Sequence, residues 1–413
     1  MTLLRVDKLK EGMVVKGDVM APSGRLVLPV GTKLEDKHVR LLKSWGVVEV
    51  EIEGGPHPES LPKLPPMTRE AMTKGAGYLD HLYSLCGRGS PVLREMFRIS
   101  TVRTMALIAE KGILAVPDIP HINDLDDVSC SESLDLSISQ LVGKQTKLFS
   151  FSETYRQIVE VLRSPRSSSA HVAQVVEKDT SLSAKLLRIV NSAYYGFPSK
   201  IGSIQRAVTV LGGRELTTLA VGVTAIRYFS GLSQNVIDMD RFWRNSVACG
   251  VFARLLAGEK HLLSDSHFFL SGLLRDIGLL LLLGEYPDFM GKLLDRASSR
   301  KMSLPVCERE AFGFSHSFLG AALLSEWQVP PYLISTIKYK DNPLASDDVL
   351  ESSILHVADV LSFAMGYGWS PIIPVPSLDQ DAWDHLDLSH NVLDTLTARA
   401  NRQISEILGS FIG

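Results

Sequence analysis

The pattern of apolar positions changes character along the chain. Residues 3–53 hold short β-like segments at Met13–Val15, Arg25–Leu28 and Val47–Ile52, broken by Gly12, Gly24, Gly31 and Gly46. Between the last two, Leu34, Val39, Leu41 and Leu42 follow a helical pattern within Lys33–Ser44. A small α+β module is expected over residues 1–54. Gly54–Pro66 contains five prolines and two glycines, which exclude a helix or strand interior and mark residues 55–66 as a linker. Residues 67–140 read as a helical connector, with Leu82, Leu93, Met96 and Ile108 among the side chains available for burial, followed by an acidic loop within Pro117–Ser137.

From about Val142 onward helical periodicity dominates. In Ser181–Ala193 the apolar positions Leu182, Leu186, Ile189, Val190 and Ala193 advance by four, three, one and three, which places one stripe toward a core. Further helical runs are expected at Arg214–Phe229, Arg241–Ala257, Phe268–Leu283, Phe318–Trp327, Pro331–Tyr339 and Ser352–Met365, without a comparable set of alternating strands. The fold expected is therefore mainly α, an all-helical bundle over residues 141–413 preceded by the small α+β module.

Composition narrows the function classes. With 45% hydrophobic and 22% charged residues and a net charge of −3, the chain shows neither the signature of wholesale disorder nor that of a polyanion-coating surface, so no nucleic-acid partner is expected. Cys86, Cys130, Cys249 and Cys307 lie far apart without CxxC spacing and read as reduced, mostly buried thiols. Arg5, Asp7, Lys8 and Lys10 stand where a signal peptide needs an apolar stretch. The most apolar run, Ile277–Leu283, is far shorter than the roughly 20 residues that span a bilayer. A cytoplasmic location without membrane insertion is expected. Phosphate loops of the GxxxxGK[ST] type, GxSxG elbows and HExxH helices are absent from the sequence.

The segment DTSLSAKLLRIVNSAYYGFPSKIGSIQRAVTVLG, Asp179–Gly212, resembles the signature of the HDOD domain: a helix ending in an NSA-aromatic-aromatic-G turn, then an I-x-S-I-x-x-A-V-x-x-L-G helix. The residues agree, since Gly196 and Pro198 stop one helix and Ser203 is placed to cap the next. The resemblance runs from about Leu141 to the C-terminus. Ahead of it, LKEGMVVKGDVMAPSGRLVLPVGTKLEDKHVRLLKSWGVVEVEI resembles a short module often found before HD-type output domains in bacterial signalling proteins. Within the signature, Asn191, Ser192, Tyr194 and Tyr195, with Arg206, form a candidate ligand or partner surface. The alternative is that such turn residues satisfy local backbone groups or pack on a neighbouring helix.

The resemblance also implies a site. HD hydrolases, to which the HDOD domain is related, hold divalent metal with a His, an adjacent His-Asp pair and a later Asp, because imidazole and carboxylate together suit a hard or borderline cation. By position these ligands correspond here to Asn245, to Arg275 with Asp276, and to Asp359. The additional histidines of the HD-GYP relatives correspond to His316, which is kept, and to Lys340 and Asp341, which replace a His-His pair; Gly366, Tyr367 and Gly368 stand in a different setting from the GYP element. Arg275 has no lone pair for a metal and stays protonated. At about 4 Å and an effective dielectric near 20 it would repel a divalent ion by roughly 8 kcal/mol.

Two readings of Arg275 are open at this stage: it takes the cation's place by pairing with Asp276 or Asp359, or it points to solvent. His316 is either a residual ligand or a hydrogen-bonded side chain at a helix start, and His356, three residues before Asp359, either lines the site or belongs to the core. The function expected is a non-catalytic signal-transduction output or adaptor protein that binds a partner protein or small ligand, with no catalytic residue, metal or cofactor. The alternative is a metal-dependent phosphohydrolase or cyclic-dinucleotide phosphodiesterase using a reduced site. Partner identity and oligomeric state are not written in the sequence.

Overall fold

In the computed structural model of the chain, the residues described are 2–6, 9–20, 26–44, 47, 49–53, 67–87, 89–117, 134–148, 157, 160, 169–192, 195, 197, 199–229, 237–262, 266–370 and 373–411. The linker and most of the acidic loop lie outside them, as do Tyr194, Gly196, Pro198 and Cys130. Contacts divide the chain into two units, Met1–Met67 and Thr68–Gly413. The connector and the helical domain, separated at residue 141 on sequence, thus form one unit.

The first unit contains β1 (Thr2–Arg5), β2 (Val14–Val15), β3 (Val19–Met20), β4 (Leu26–Leu28), α1 (Asp36–Ser44) and β5 (Glu49–Glu53). β5 lies between β1 and β2 in an antiparallel sheet, with Leu4 opposite Val50 and Val15 opposite Ile52, while β3 and β4 form a separate antiparallel pair. Val15, Leu34, Leu42, Val50 and Ile52 fill its core. β1 and β3 are additions to the sequence-based reading. Both are short: β1 is defined by pairing with the distant β5 and β3 is a two-residue strand paired with the neighbouring β4, signals that alternation over a few residues does not carry.

The second unit opens with α2 (Arg69–Leu82) and α3 (Pro91–Lys111), continues through α4 (Ile138–Leu148), α5 (Ser169–Glu177), α6 (Thr180–Val190), α7 (Ile204–Leu211) and α8 (Gly213–Phe229), and reaches the long α9 (Met239–Glu259). Then come α10 (Ser266–Leu274), α11 (Ile277–Glu285), α12 (Pro287–Ser299), α13 (Leu304–Phe312), α14 (His316–Glu326), α15 (Pro331–Lys338), α16 (Val349–Ser362), α17 (Gln380–Leu386) and α18 (Val392–Phe411). One continuous apolar core joins them. Ser203 caps α7 through Arg206 N–H as expected, and Asp179 caps α6 through Leu182 N–H. Helix α6 stops at Val190, before Gly196, because Asn191 caps its end.

The run expected as one helix over Phe268–Leu283 is broken at Arg275–Asp276 into α10 and α11. The break follows from two different packing demands. Gly272 of α10 lies against the backbone of Gly250 on α9, and Gly278 of α11 lies against the start of α14 at His316 and Gly320. The apolar stretch His267–Glu285 is buried within the protein rather than exposed along its length. A Cβ at Gly272 or Gly278 would collide with backbone, whereas one at Gly258 of α9 meets nothing within 4 Å. Gly272→Ala and Gly278→Ala are each expected to destabilise the protein by about 1–3 kcal/mol or more. Gly258→Ala is expected to stabilise it by about 0.5–1 kcal/mol. Denaturant titration of the three variants checks the contrast, and equal effects would contradict the close approach.

Candidate functional site

Five helix ends or helix interiors converge on one buried charged centre. Asn245 comes from the middle of α9, Arg275 and Asp276 from the break between α10 and α11, His316 from the first position of α14, Lys340 and Asp341 from the turn after α15, and Asp359 from α16. The break is what makes Arg275 and Asp276 available together, since it turns both side chains into the space the surrounding helices enclose. All seven positions singled out by the resemblance thereby meet.

Arg275 is 0% exposed and lies at the centre. Its Nε donates to Asp359 Oδ1 at 2.6 Å, Nη1 donates to the Gly272 carbonyl at 2.9 Å, and Nη2 donates to Asn245 Oδ1. Nη2 also pairs with Asp276 Oδ2 at 3.2 Å. Asn245 is fixed in turn by donating from Nδ2 to Ser362 Oγ at 2.9 Å. The solvent-pointing reading of Arg275 is thus excluded, and it pairs with both aspartates. Lys340 is the second buried cation, with Nζ 2.9 Å from Asp341 Oδ1 and 3.5 Å from both Asp276 Oδ1 and Asp359 Oδ2. Asp341 also accepts from Ser317 Oγ.

These contacts set the protonation states. Burial alone would raise the carboxyl of Asp276, but the Arg275 and Lys340 charges beside it hold it well below the usual carboxylate range. Burial disfavours the Lys340 and Arg275 cations, and the surrounding aspartates reverse the effect and raise both. Burial lowers His316, yet the Glu308 carboxylate raises it to about 10. Glu308 accepts both the His316 backbone N–H at 2.8 Å and Nδ1–H at 2.7 Å. His316 Nε2 forms an ion pair with Asp276 Oδ1 at 3.4 Å.

Glu308 escaped the sequence reading. The signal was present, because Leu304, Cys307, Glu308 and Ala311 follow helical spacing and share the buried side of α13. His356 is a neutral structural bridge: Nδ1 faces the Lys340 carbonyl at 2.8 Å and Nε2 faces Asp379 N–H at 2.9 Å, and burial lowers its pKa.

The proposed surface around Asn191 has a different character. Asn191 donates to the Leu187 and Ile201 carbonyls and accepts from Ile201 N–H, and Ser192 donates to the Ile189 carbonyl. Tyr195 donates to Glu215 and lies under Arg254, while Arg206 is exposed. The polar groups of Asn191 and Ser192 are therefore spent on local backbone, the alternative already weighed for turn residues.

The donor set at the centre does not suit a divalent cation. Asn245 Oδ1 and the Asp359 and Asp276 carboxylates are turned to a guanidinium, and the remaining carboxylate oxygens face an ammonium. Among the described residues no group of three or more His, Cys, Asp or Glu side chains is assembled to hold a metal ion.

Residues 148–343 match the HDOD domain. The chain carries an HDOD domain. A curated relative, an uncharacterized protein of Treponema pallidum (strain Nichols), is 28% identical over 189 residues, which are 45% of this chain and 36% of that protein. The match thus spans about a third of the relative's length. A provisionally named phosphohydrolase from Shewanella amazonensis SB2B is similar in structure, with TM-score 0.53 and 20% identity over 66% of this chain and 98% of that one. A provisionally named signal transduction protein from Marinobacter aquaeolei VT8 gives TM-score 0.52 and 21% identity over 71% of this chain and 64% of that one. At these identities the likeness concerns the fold.

Asp359 lies beyond the matched HDOD residues, as does much of the cleft that opens beside the charged centre. This cleft has a volume of about 210 Å³ and is lined on one side by Phe363, Trp369, Ile373 and Pro376. The connector holds that side in place. Tyr83 and Ser100 share a hydrogen bond, Ser100 donates to the Ala364 carbonyl and Arg103 to the Met365 carbonyl, Val375 N–H donates to the Leu82 carbonyl at 2.7 Å, and Ser377 donates to the Leu85 carbonyl. Helices α2 and α3, which precede the HDOD domain, thus secure one wall of its cleft.

Arg275→Met leaves two buried aspartates without their main partner and is expected to cost about 3–5 kcal/mol, with much of the loss recovered when Asp276→Asn and Asp359→Asn are added. Denaturant midpoints of the single and triple variants check this. His316 supplies a pH test. Its folded value of about 10 exceeds the ordinary 6.5, so its contribution is full below 6.5 and is lost as pH rises through about 10. Wild type is expected to weaken across that window, and Glu308→Gln to lose that part of the slope.

Proposed function

We propose that this chain is a non-catalytic output or adaptor protein of signal transduction, working by binding a small ligand or partner protein through its HDOD domain. The observation that carries this reading is Arg275. Its guanidinium is wholly buried and bonded to Asn245, Asp276 and Asp359, the side chains standing at the metal-ligand positions of HD hydrolases. A guanidinium has no vacant coordination position and cannot activate water as a Lewis acid does. Lys340 adds a second fixed cation against the same aspartates. The centre is thereby a degenerate metal site whose positive charge is supplied by side chains. On this reading the protein acts in the cytoplasm, without nucleic acid or membrane insertion, in keeping with its net charge of −3.

The second reading is a metal-dependent phosphohydrolase using Asp276, His316 and Asp359. The convergence of those three side chains and the name carried by the Shewanella amazonensis relative favour it. It requires a metal to displace both Arg275 and Lys340 from their carboxylates, against the repulsion of like charge.

Elemental analysis and a manganese-supplemented phosphatase assay separate the two. The wild-type protein is expected to hold no stoichiometric metal and to show no activity that Asp276→Ala abolishes. Asn245→His combined with Arg275→His, which returns imidazoles to two ligand positions, is expected to gain metal affinity. Stoichiometric manganese, iron or zinc in the wild type, with activity lost in Asp276→Ala, would sink the non-catalytic reading.

A further inference from the structure

We propose that residues 373–379 form a strap over the cleft, latched to the α2–α3 connector and pivoting on the π turn Phe363–Tyr367, so that the cleft opens by local release of the strap. The proposal concerns access to the cleft and stands apart from whether an occupant is bound or turned over there.

The strap is held by the ends of other elements. Residues 373–379 have no regular secondary structure, yet Ile373 and Val375 are buried, and Ile373, Pro376 and Ser377 line the cleft. Val375 N–H donates to the Leu82 carbonyl at 2.7 Å and Ser377 Oγ to the Leu85 carbonyl at 3.2 Å. The Cys86 thiol lies within 3.7 Å of the Val375 and Pro376 carbonyls. Leu82 ends α2, so its carbonyl has no partner within its own helix. At the far end of the strap Asp379 N–H donates to His356 Nε2.

The pivot is held by the other connector helix. Helix α16 ends in the π turn, and Gly366 within it has φ 82°, a left-handed conformation that turns the chain away from the helix axis. The carbonyls of Ala364 and Met365 accept from Ser100 Oγ and Arg103 Nε of α3. The Arg103 guanidinium also lies 5.6 Å from the centroid of the Tyr367 ring.

Latch and pivot are joined through the connector. Tyr83 follows Leu82, and its hydroxyl donates at 2.6 Å to Ser100 Oγ, the group that holds Ala364. Gly75 brings α2 against Met105 and Ile108 of α3. The connector thus grips the strap with α2 and the pivot with α3, and a shift of one helix is felt at both. These bonds belong to helix ends and irregular chain, where water can replace each one as the strap lifts. The strap is therefore the part of the cleft wall that opens most readily, while burial of Val375, 0% exposed, holds it closed at rest. Release exposes Asp276, His316, Lys340 and Asp359 on the other side of the cleft. Connector, pivot and strap all lie outside residues 148–343, so the device is an addition to the matched HDOD domain.

Amide hydrogen exchange and thiol labelling of the full chain, both read peptide by peptide, test the proposal. In the wild type at low denaturant, the Val375 and Asp379 amides are expected to exchange through an opening that exposes much less surface than global unfolding, well before the amides of α9. Strap amides that exchange only together with α9 would overturn the proposal, a result that needs no variant to fold. Ser100→Ala and Arg103→Ala each remove a bond at the pivot and leave the strap's own bonds in place. Each is expected to speed both Val375 exchange and Cys86 labelling by about three- to tenfold, the effect of one lost hydrogen bond. Faster exchange confined to residues 363–367, with Val375 and Cys86 as in the wild type, would show that pivot and strap are uncoupled and would equally overturn it.

Discussion

The bonding of one buried guanidinium organises the centre of this protein. Arg275 ties α9 through Asn245, α16 through Asp359 and the α10–α11 break through Asp276 and the Gly272 carbonyl. Burying such a group costs several kcal/mol, and only a full set of acceptors offsets the loss of water. The acceptors are nearly complete here because the helix break supplies a carbonyl and a carboxylate within the same turn. The break in turn depends on glycines that let α10 and α11 approach different neighbours. A side chain at Gly272 or Gly278 would separate those helices and with them the acceptors.

The same economy explains the second layer. Lys340 and His316 are cations in a space that already holds Arg275, and each is kept charged by a nearby carboxylate, Asp341 for one and Glu308 for the other. Removing Glu308 would reach the centre through His316, whose Nε2 faces Asp276. The connector contributes from outside the HDOD domain by holding Phe363–Pro376 against the cleft. Helices α2 and α3 therefore bear on the shape of a site to which they contribute no lining residue.

Much of this was legible in the sequence, and what was not has identifiable causes. Helical periodicity located α8, α9 and α14–α16 because their apolar faces are continuous, and the signature around Asn191 pointed to the HDOD domain. The break at Arg275–Asp276 was missed because apolar residues on both sides extend one pattern across it, and only packing partners distinguish the two halves. Helices α12, α13, α17 and α18 went unassigned, three of them being short or proline-led and α18 an amphipathic run of ordinary composition. At the centre, the resemblance to HD-type domains named all seven side chains, but sequence left the direction of Arg275 open. Glu308 and Arg309 share α13 with opposite fates, one buried against His316 and the other exposed at the rim, which a one-residue step on a helix of 3.6 residues per turn produces.

A side-chain cation differs from a bound metal in one respect that bears on function. A metal is exchangeable, so a site that depends on it changes shape and charge with supply, pH and competing chelators. Arg275 and Lys340 are covalently part of the chain and remain charged across the ordinary pH range, which makes the electrostatics of the cleft constant. What is given up is the open coordination position that polarises a substrate or lowers the pKa of water. On the proposed reading the protein exchanges chemistry for a fixed, preorganised recognition surface. The resulting pH dependence should come from His316 near 10 rather than from metal loss in acid, a difference that a binding profile between neutral and alkaline pH would display.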